Sequence, residues 1–149
     1  IDQRLGALVW SPLAGGLLSG KYRRGVQPEG TSRHLTDWHE PPIHDEEALY
    51  DTIDVLVDIA DARGVSGAQV ALAWLLDRPG ITSLVVGART EEQLTDNLQA
   101  AALTLTREEH DRLEQVSRVP LPYPHWHTAA TAADRLGPAD RSLLAPYLS

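Results

Sequence analysis

The chain contains no cysteine and no methionine. Without thiols it forms no disulfide and offers no thiolate as nucleophile or soft metal ligand, a usage that suits a cytoplasmic protein. It opens on Ile1-Asp2-Gln3-Arg4, directly before an apolar run, with neither an initiating Met nor the charged-then-apolar profile of a signal peptide. The expectation is a fragment of a longer protein, with any targeting segment upstream. Also lacking is an apolar stretch of membrane-spanning length, so no membrane partner is expected. Positive charge is scarce: 13 Lys and Arg stand against 21 Asp and Glu, for a net charge of -8 and a pI near 5.1. A phosphate backbone would be repelled by that balance, which disfavours a nucleic-acid partner.

What remains is an ordinary globular composition, 42% hydrophobic and 23% charged over 149 residues, enough for one modest core and hence one domain or part of one. Leu5 to Ser11 reads as a strand covered on both faces, because its apolar residues do not alternate. From Arg23 to Ile43 the residues turn to Gly, Pro, His and charge, a loop long enough to suggest binding. Asp45 to Arg63 reads as a helix with Leu49, Ile53, Leu56 and Ala60 on one face, ending at Gly64. Ser66 and Gln69 read as a capping box opening a second helix with Val70, Trp74 and Leu75 inward. Ile81 to Val86 is a second apolar strand. Thr90 with Gln93, and Thr106 with Glu109, read as further capping boxes, the first helix carrying Leu94 and Leu98 on one side, the second burying Leu113 and Val116. The tail after Pro120 is Pro-rich, then weakly helical.

Strands separated by helices argue for a parallel sheet, and two parallel strands need neighbours and helices over both faces. The elements therefore support the fragment expectation on their own.

Two stretches carry chemistry. In the first, WSPLAGGLLSGKY (Trp10 to Tyr22), an apolar strand ends in Ser-Pro, then glycines, a hydroxyl and one ammonium. Gly15 to Lys21 matches the opening of a P-loop, but Tyr22 stands where that motif needs a hydroxyl for magnesium. The weaker reading has backbone N–H groups, Ser11 and Lys21 pointing at a phosphate. The bland alternative is that Gly15, Gly16 and Gly20 permit a tight turn and Lys21 is solvated surface. In the second stretch, Val85 to Thr90, a strand runs into a capped helix with Gly87 and Arg89 at the junction. There the helix N-terminus and a guanidinium fork suit a phosphate. Gln93 and Asn97 share one face of that helix, as cap partner and solvated amide or as ligand contacts. His34, His39 and His44 with Asp37, and His125 with His127, are spaced for a metal, yet nothing else orders them, so no metal is expected. No G-x-S-x-G nucleophile motif occurs.

In this order and about 75 residues apart, the runs Val9 to Tyr22 and Val86 to Leu98 resemble the aldo-keto reductase family, most strongly the branch with bacterial reductases and potassium-channel beta subunits. The likeness covers residues 5–118, leaving 119–149 as a C-terminal tail. It implies an α/β fold, the C-terminal portion of a TIM (β/α)8 barrel, in which the two strands are the last of eight. It implies NADP(H) as cofactor and reduction of aldehyde or ketone small molecules. By position, Trp10 would stack on the nicotinamide; Ser11, Pro12, Leu13, Gly16 and Lys21 would line the pyrophosphate; Arg33 would clasp the adenosine end. Gly87, Arg89, Gln93, Asp96 and Asn97 would hold the 2'-phosphate and adenine. The family's catalytic Asp, Tyr, Lys and His have no matching segment here, so no catalytic residue is assigned and the fragment alone is expected to be inactive. Tyr123, Trp126 and His127 fall where the family places a loop that shapes substrate choice, and tail packing explains them equally well. The alternatives are a non-catalytic NADP(H)-binding regulatory subunit, which the same motifs would serve, and a P-loop phosphotransferase, against which Tyr22 argues.

Overall fold

The computed structural model describes residues 4–26, 41–131 and 133–147. They fall into two compact units, Ala7–Ser117 and the two chain ends, Ile1–Gly6 with Arg118–Ser149.

In the larger unit β1 (Ala7–Trp10) and β2 (Ile81–Val85) pair in parallel, with Leu8 opposite Ser83, Val9 opposite Leu84 and Trp10 opposite Val85. The order α1 (Glu46–Arg63), α2 (Gly67–Leu76), β2, α3 (Glu91–Gln99), α4 (Arg107–Val116) is the expected alternation of strands and helices. β1 is shorter than expected because Ser11 turns to a left-handed φ of 52° and ends it. Its side chains are also not covered: Leu8 is 69% and Trp10 75% exposed, since no third strand or second helical layer lies over them among the described residues.

The core lies instead among the helices. Asp45 caps α1 by accepting from the Ala48 N–H at 3.0 Å, and Gly64 ends it in the left-handed conformation (φ 66°) while Val65 N–H donates to Ala60 O at 3.0 Å. Between those stops Ile53, Leu56 and Ala60 are buried as expected and Leu49 packs against them. α2 is buried almost all round, from Gly67 to Ala73, because it lies between α1, α3 and β2. Leu113 of α4 and Leu17 and Tyr22 from the segment after β1 complete the cluster.

Of the expected capping boxes, only that of α4 closes: Thr106 Oγ1 accepts from Glu109 N–H at 3.2 Å and Glu109 returns the bond to Thr106 N–H at 2.7 Å. Ser66 and Thr90 cap α2 and α3, but their Gln partners turn elsewhere, Gln69 to α3 and Gln93 to the N–H of Arg89. Leu94 and Leu98 do share a side of α3, and that side is exposed; the buried side carries Asn97 and leads to Ala100.

In the smaller unit α5 (His125–Thr131) and α6 (Pro138–Leu144) are short. α6 starts with Pro138 at its first turn and Asp140 accepting from the Gly137 N–H, and Tyr147 donates its hydroxyl to Val119 O at 2.6 Å. Among the described residues no helix is long and apolar enough to cross a membrane.

Candidate functional site

Parallel pairing sets the carboxyl ends of β1 and β2 side by side, Trp10 against Val85, so the segments that follow both strands leave from one edge. After Trp10 the backbone takes left-handed φ values at Ser11, Ala14, Gly15, Gly16 and Gly20. Alternating right- and left-handed residues make concave backbone surfaces that favour anions. Part of this turn is closed on itself: Ala14 N–H donates to Ser11 O, Gly16 and Leu18 N–H donate to Leu13 O, and Ser19 Oγ donates to Gly16 O at 2.6 Å. Pro12 is buried and Leu13 packs on the core, which anchors the turn. Tyr22, 7% exposed, anchors its far end.

Lys21 folds back over this turn. Its Nζ lies 3.4 Å from where a Cβ on Gly16 would sit, and Gly16 has a φ of 100°, so any side chain there would be strained and would crowd the ammonium. Partial burial lowers the Lys21 pKa, and repulsion from the nearby Arg89 guanidinium lowers it further. Two cations from segments about 68 positions apart are thus within electrostatic reach, although each disfavours the other.

The segment after β2 is more open. Gly87 is exposed, its φ lies outside the left-handed region, and a Cβ built there meets nothing within 4 Å. Neither conformation nor packing among the described residues requires glycine at this point. Arg89 follows, its N–H donating to Gln93 Oε1 at 3.0 Å, which ties the Arg89 backbone to the first turn of α3. The remaining acidic and amide positions face another way. Asp96 accepts from Ser66 Oγ at 2.6 Å and from Gln69 Nε2 at 2.6 Å, so both its oxygens are bound to the start of α2. Asn97 is 9% exposed on the buried side of α3.

Trp10, Gly16, Lys21, Gly87, Arg89 and Gln93 therefore gather near the two strand ends, Pro12 and Leu13 support them from beneath, and Asp96 is engaged with α2. Arg33 lies outside the described residues, as do His34, Asp37 and His39. A shallow depression of about 520 Å³ lies on α3, lined by Glu91, Glu92, Thr95, Asp96 and Gln99. Its carboxylates would repel a phosphate, and it does not include Lys21 or Arg89. Among the described residues no group of three or more His, Asp or Glu side chains is placed to hold a metal ion. Tyr123, Trp126 and His127 form an aromatic cluster in the smaller unit, with ring centroids 5.5–6.3 Å apart. Two residues that reasoning along the chain missed are Gly67 and Gln69. Both sit in the first turn of α2, and an amide in an otherwise apolar helix was the available signal.

An α/β chain with cations beyond the carboxyl ends of adjacent parallel strands falls in the class whose ligands bind at that edge of the sheet. This chain belongs to the aldo/keto reductase family, whose sequence profile matches residues 3–118. It is 36% identical over 117 residues to a probable voltage-gated potassium channel subunit beta of Oryza sativa subsp. japonica, covering 75% of this chain and 35% of that protein. It is 38% identical over 115 residues to the L-glyceraldehyde 3-phosphate reductase of Escherichia coli O157:H7, covering 74% and 33%. An oxidoreductase of Bacillus subtilis (strain 168) is 35% identical over 109 residues, covering 72% and 30%. The chain thus spans about a third of the length of these relatives.

Proposed function

We propose that the protein is a cytoplasmic NADP(H)-dependent oxidoreductase that reduces small aldehydes or ketones, and that these residues are the cofactor-gripping last quarter of a (β/α)8 barrel. The observation that carries the reading is the mutual electrostatic reach of Lys21 and Arg89 at the ends of paired parallel strands. Two cations held together against their repulsion suit a ligand with phosphates at both ends, and the chain's net charge of -8 makes their pairing more telling.

The residues fit such a dinucleotide. Gly87 leaves room that none of the described residues fills, which allows a ligand to approach the backbone beside Arg89. Trp10, 75% exposed at the strand end, offers a ring face for an aromatic base. When bound, the nicotinamide supplies the hydride that reduces the carbonyl carbon. This chain's part is to bind and orient: Trp10 backs the nicotinamide, Ser11, Gly16 and Lys21 hold the diphosphate over the turn that Pro12 and Leu13 anchor, and Arg89 grips the 2'-phosphate with Gly87 and Gln93 around it, while Asn97 stands on the buried side of α3 and supports that helix from within. Asp96, bound to α2, braces this end. No proton donor for the carbonyl oxygen is assigned to these residues.

A second reading is favoured by the likeness to the plant proteins named as potassium channel subunits: an NADP(H)-binding regulatory subunit that uses the same grip without turnover. Both readings share one test. In the full protein that carries these residues, Arg89→Ala should weaken NADPH about ten- to a hundredfold, the loss of a charge-assisted bond, and leave NADH nearly unchanged. Equal losses for the two cofactors, read by fluorescence titration, would refute the assignment of Arg89. Turnover of an aldehyde by the wild type separates enzyme from regulator.

A further inference from the structure

The first turn of α2 touches both halves of the proposed cofactor grip, although no residue of it was expected to contribute. On one side Gly67 lies against Gly20, the residue before Lys21. A Cβ on Gly67 would sit 3.2 Å from both the Cα and the N of Gly20, and 2.7 Å from Leu56 Cδ2. Only glycine permits that backbone-to-backbone approach, so the contact sets where the Lys21 turn stands.

On the other side, the same turn is bonded to α3. Ser66 Oγ donates to Asp96 Oδ2 at 2.6 Å while accepting from Gln69 N–H at 3.1 Å. Gln69, 5% exposed, donates through Nε2 to Asp96 Oδ1 at 2.6 Å and to Gln99 Oε1 at 3.0 Å. A part-buried polar network whose members are satisfied is rigid and allows one arrangement. It fixes the rotation of α3, and with it Gln93 and the Arg89 backbone that Gln93 holds.

Lys21 and Arg89 repel each other, so their spacing does not maintain itself, while a dinucleotide presents its phosphates at a spacing of its own. Resting on the function proposed above, we infer that Ser66, Gly67 and Gln69 are positioning residues which hold the two cations at the separation that favours NADPH over NADH, and that Asp96 acts through them rather than by touching the ligand.

The test measures Kd for NADPH and NADH in the full protein with Ser66→Ala, Gln69→Leu, Asp96→Asn and Gly67→Ala, circular dichroism checking the fold of each. Each substitution should lower the NADPH preference about three- to tenfold. The double variant Ser66→Ala/Asp96→Asn should lose no more than the worse single change, because both break one network. Ser66→Thr, which keeps the hydroxyl, should restore the preference; general destabilisation would not change a ratio of two affinities. If Gly67→Ala does not fold, the Ser66 and Gln69 variants decide alone. Loss confined to Asp96→Asn, with the preference intact in Ser66→Ala and Gln69→Leu, would overturn this inference and leave the functional reading standing. A wild type without NADPH preference, or an Arg89→Ala variant that loses both cofactors equally, would overturn the functional reading itself.

Discussion

The helical layer and the two-stranded sheet are made of similarly apolar residues and end differently. Ile53 of α1 and Val70 of α2 are 0% exposed, whereas Leu8 and Trp10 of β1 lie open at the strand pair. Helices with one apolar face satisfy one another when stacked. A strand pair does not, because its second face and its outer edges need further layers. The helices thus describe a core that this chain completes, and the sheet describes a surface that asks for cover. In a (β/α)8 barrel the strand side chains meet those of six more strands, which is the cover proposed for this protein.

That contrast can be broken most forcefully by a pair of truncations. Ile53→Ala should cost about 2–5 kcal/mol of stability, since it opens a cavity among packed helices. Leu8→Ala in the same chain should cost less than about 0.5 kcal/mol, as for other exposed positions. Urea denaturation followed by circular dichroism compares the two. Similar losses would mean that the sheet is covered as well as the helices are.

A smaller effect sharpens the electrostatic side. Lys21 has its pKa lowered by burial and by Arg89, so it sheds its proton in the fold at a lower pH than in the unfolded chain. By linkage, its charge opposes folding most below that lowered value, and stability recovers as pH rises through it toward the ordinary lysine range. Binding runs the other way, because a phosphate favours the ammonium. Affinity for NADPH and NADH should be full below the lowered Lys21 value and fall about three- to tenfold as pH rises through it. Lys21→Arg should hold its affinity across that range, while a wild-type affinity that stays flat would separate Lys21 from the ligand.

Much of this was legible along the chain where the physics is local. Ser and Thr caps, the left-handed stop at Gly64 and the apolar face of α1 depend on residues within a turn of each other. The parallel pairing and the gathering of Lys21 with Arg89 followed from strand order and from the family resemblance. What was not legible depends on pairs far apart. Gln69 looks like a cap partner until Asp96, 27 positions on, takes its amide. Gly20 and Gly67 look like two unrelated glycines until their backbones meet. Leu94 and Leu98 share one side of α3, yet the side that carries Asn97 is the buried one, because the side of a helix that is buried is decided by its neighbours.

In the function proposed, Lys21 and Arg89 divide the labour, Lys21 serving the diphosphate common to both cofactors and Arg89 the phosphate that only one carries. The most direct test of this division is the ratio of NADPH to NADH affinity in a Lys21→Ala variant of the full protein. Both affinities should drop while their ratio keeps its wild-type value, because a missing Lys21 leaves the ligand free to settle on Arg89, whereas a displaced Lys21 holds the diphosphate at the wrong spacing. A changed ratio, or no loss for either cofactor, would contradict it.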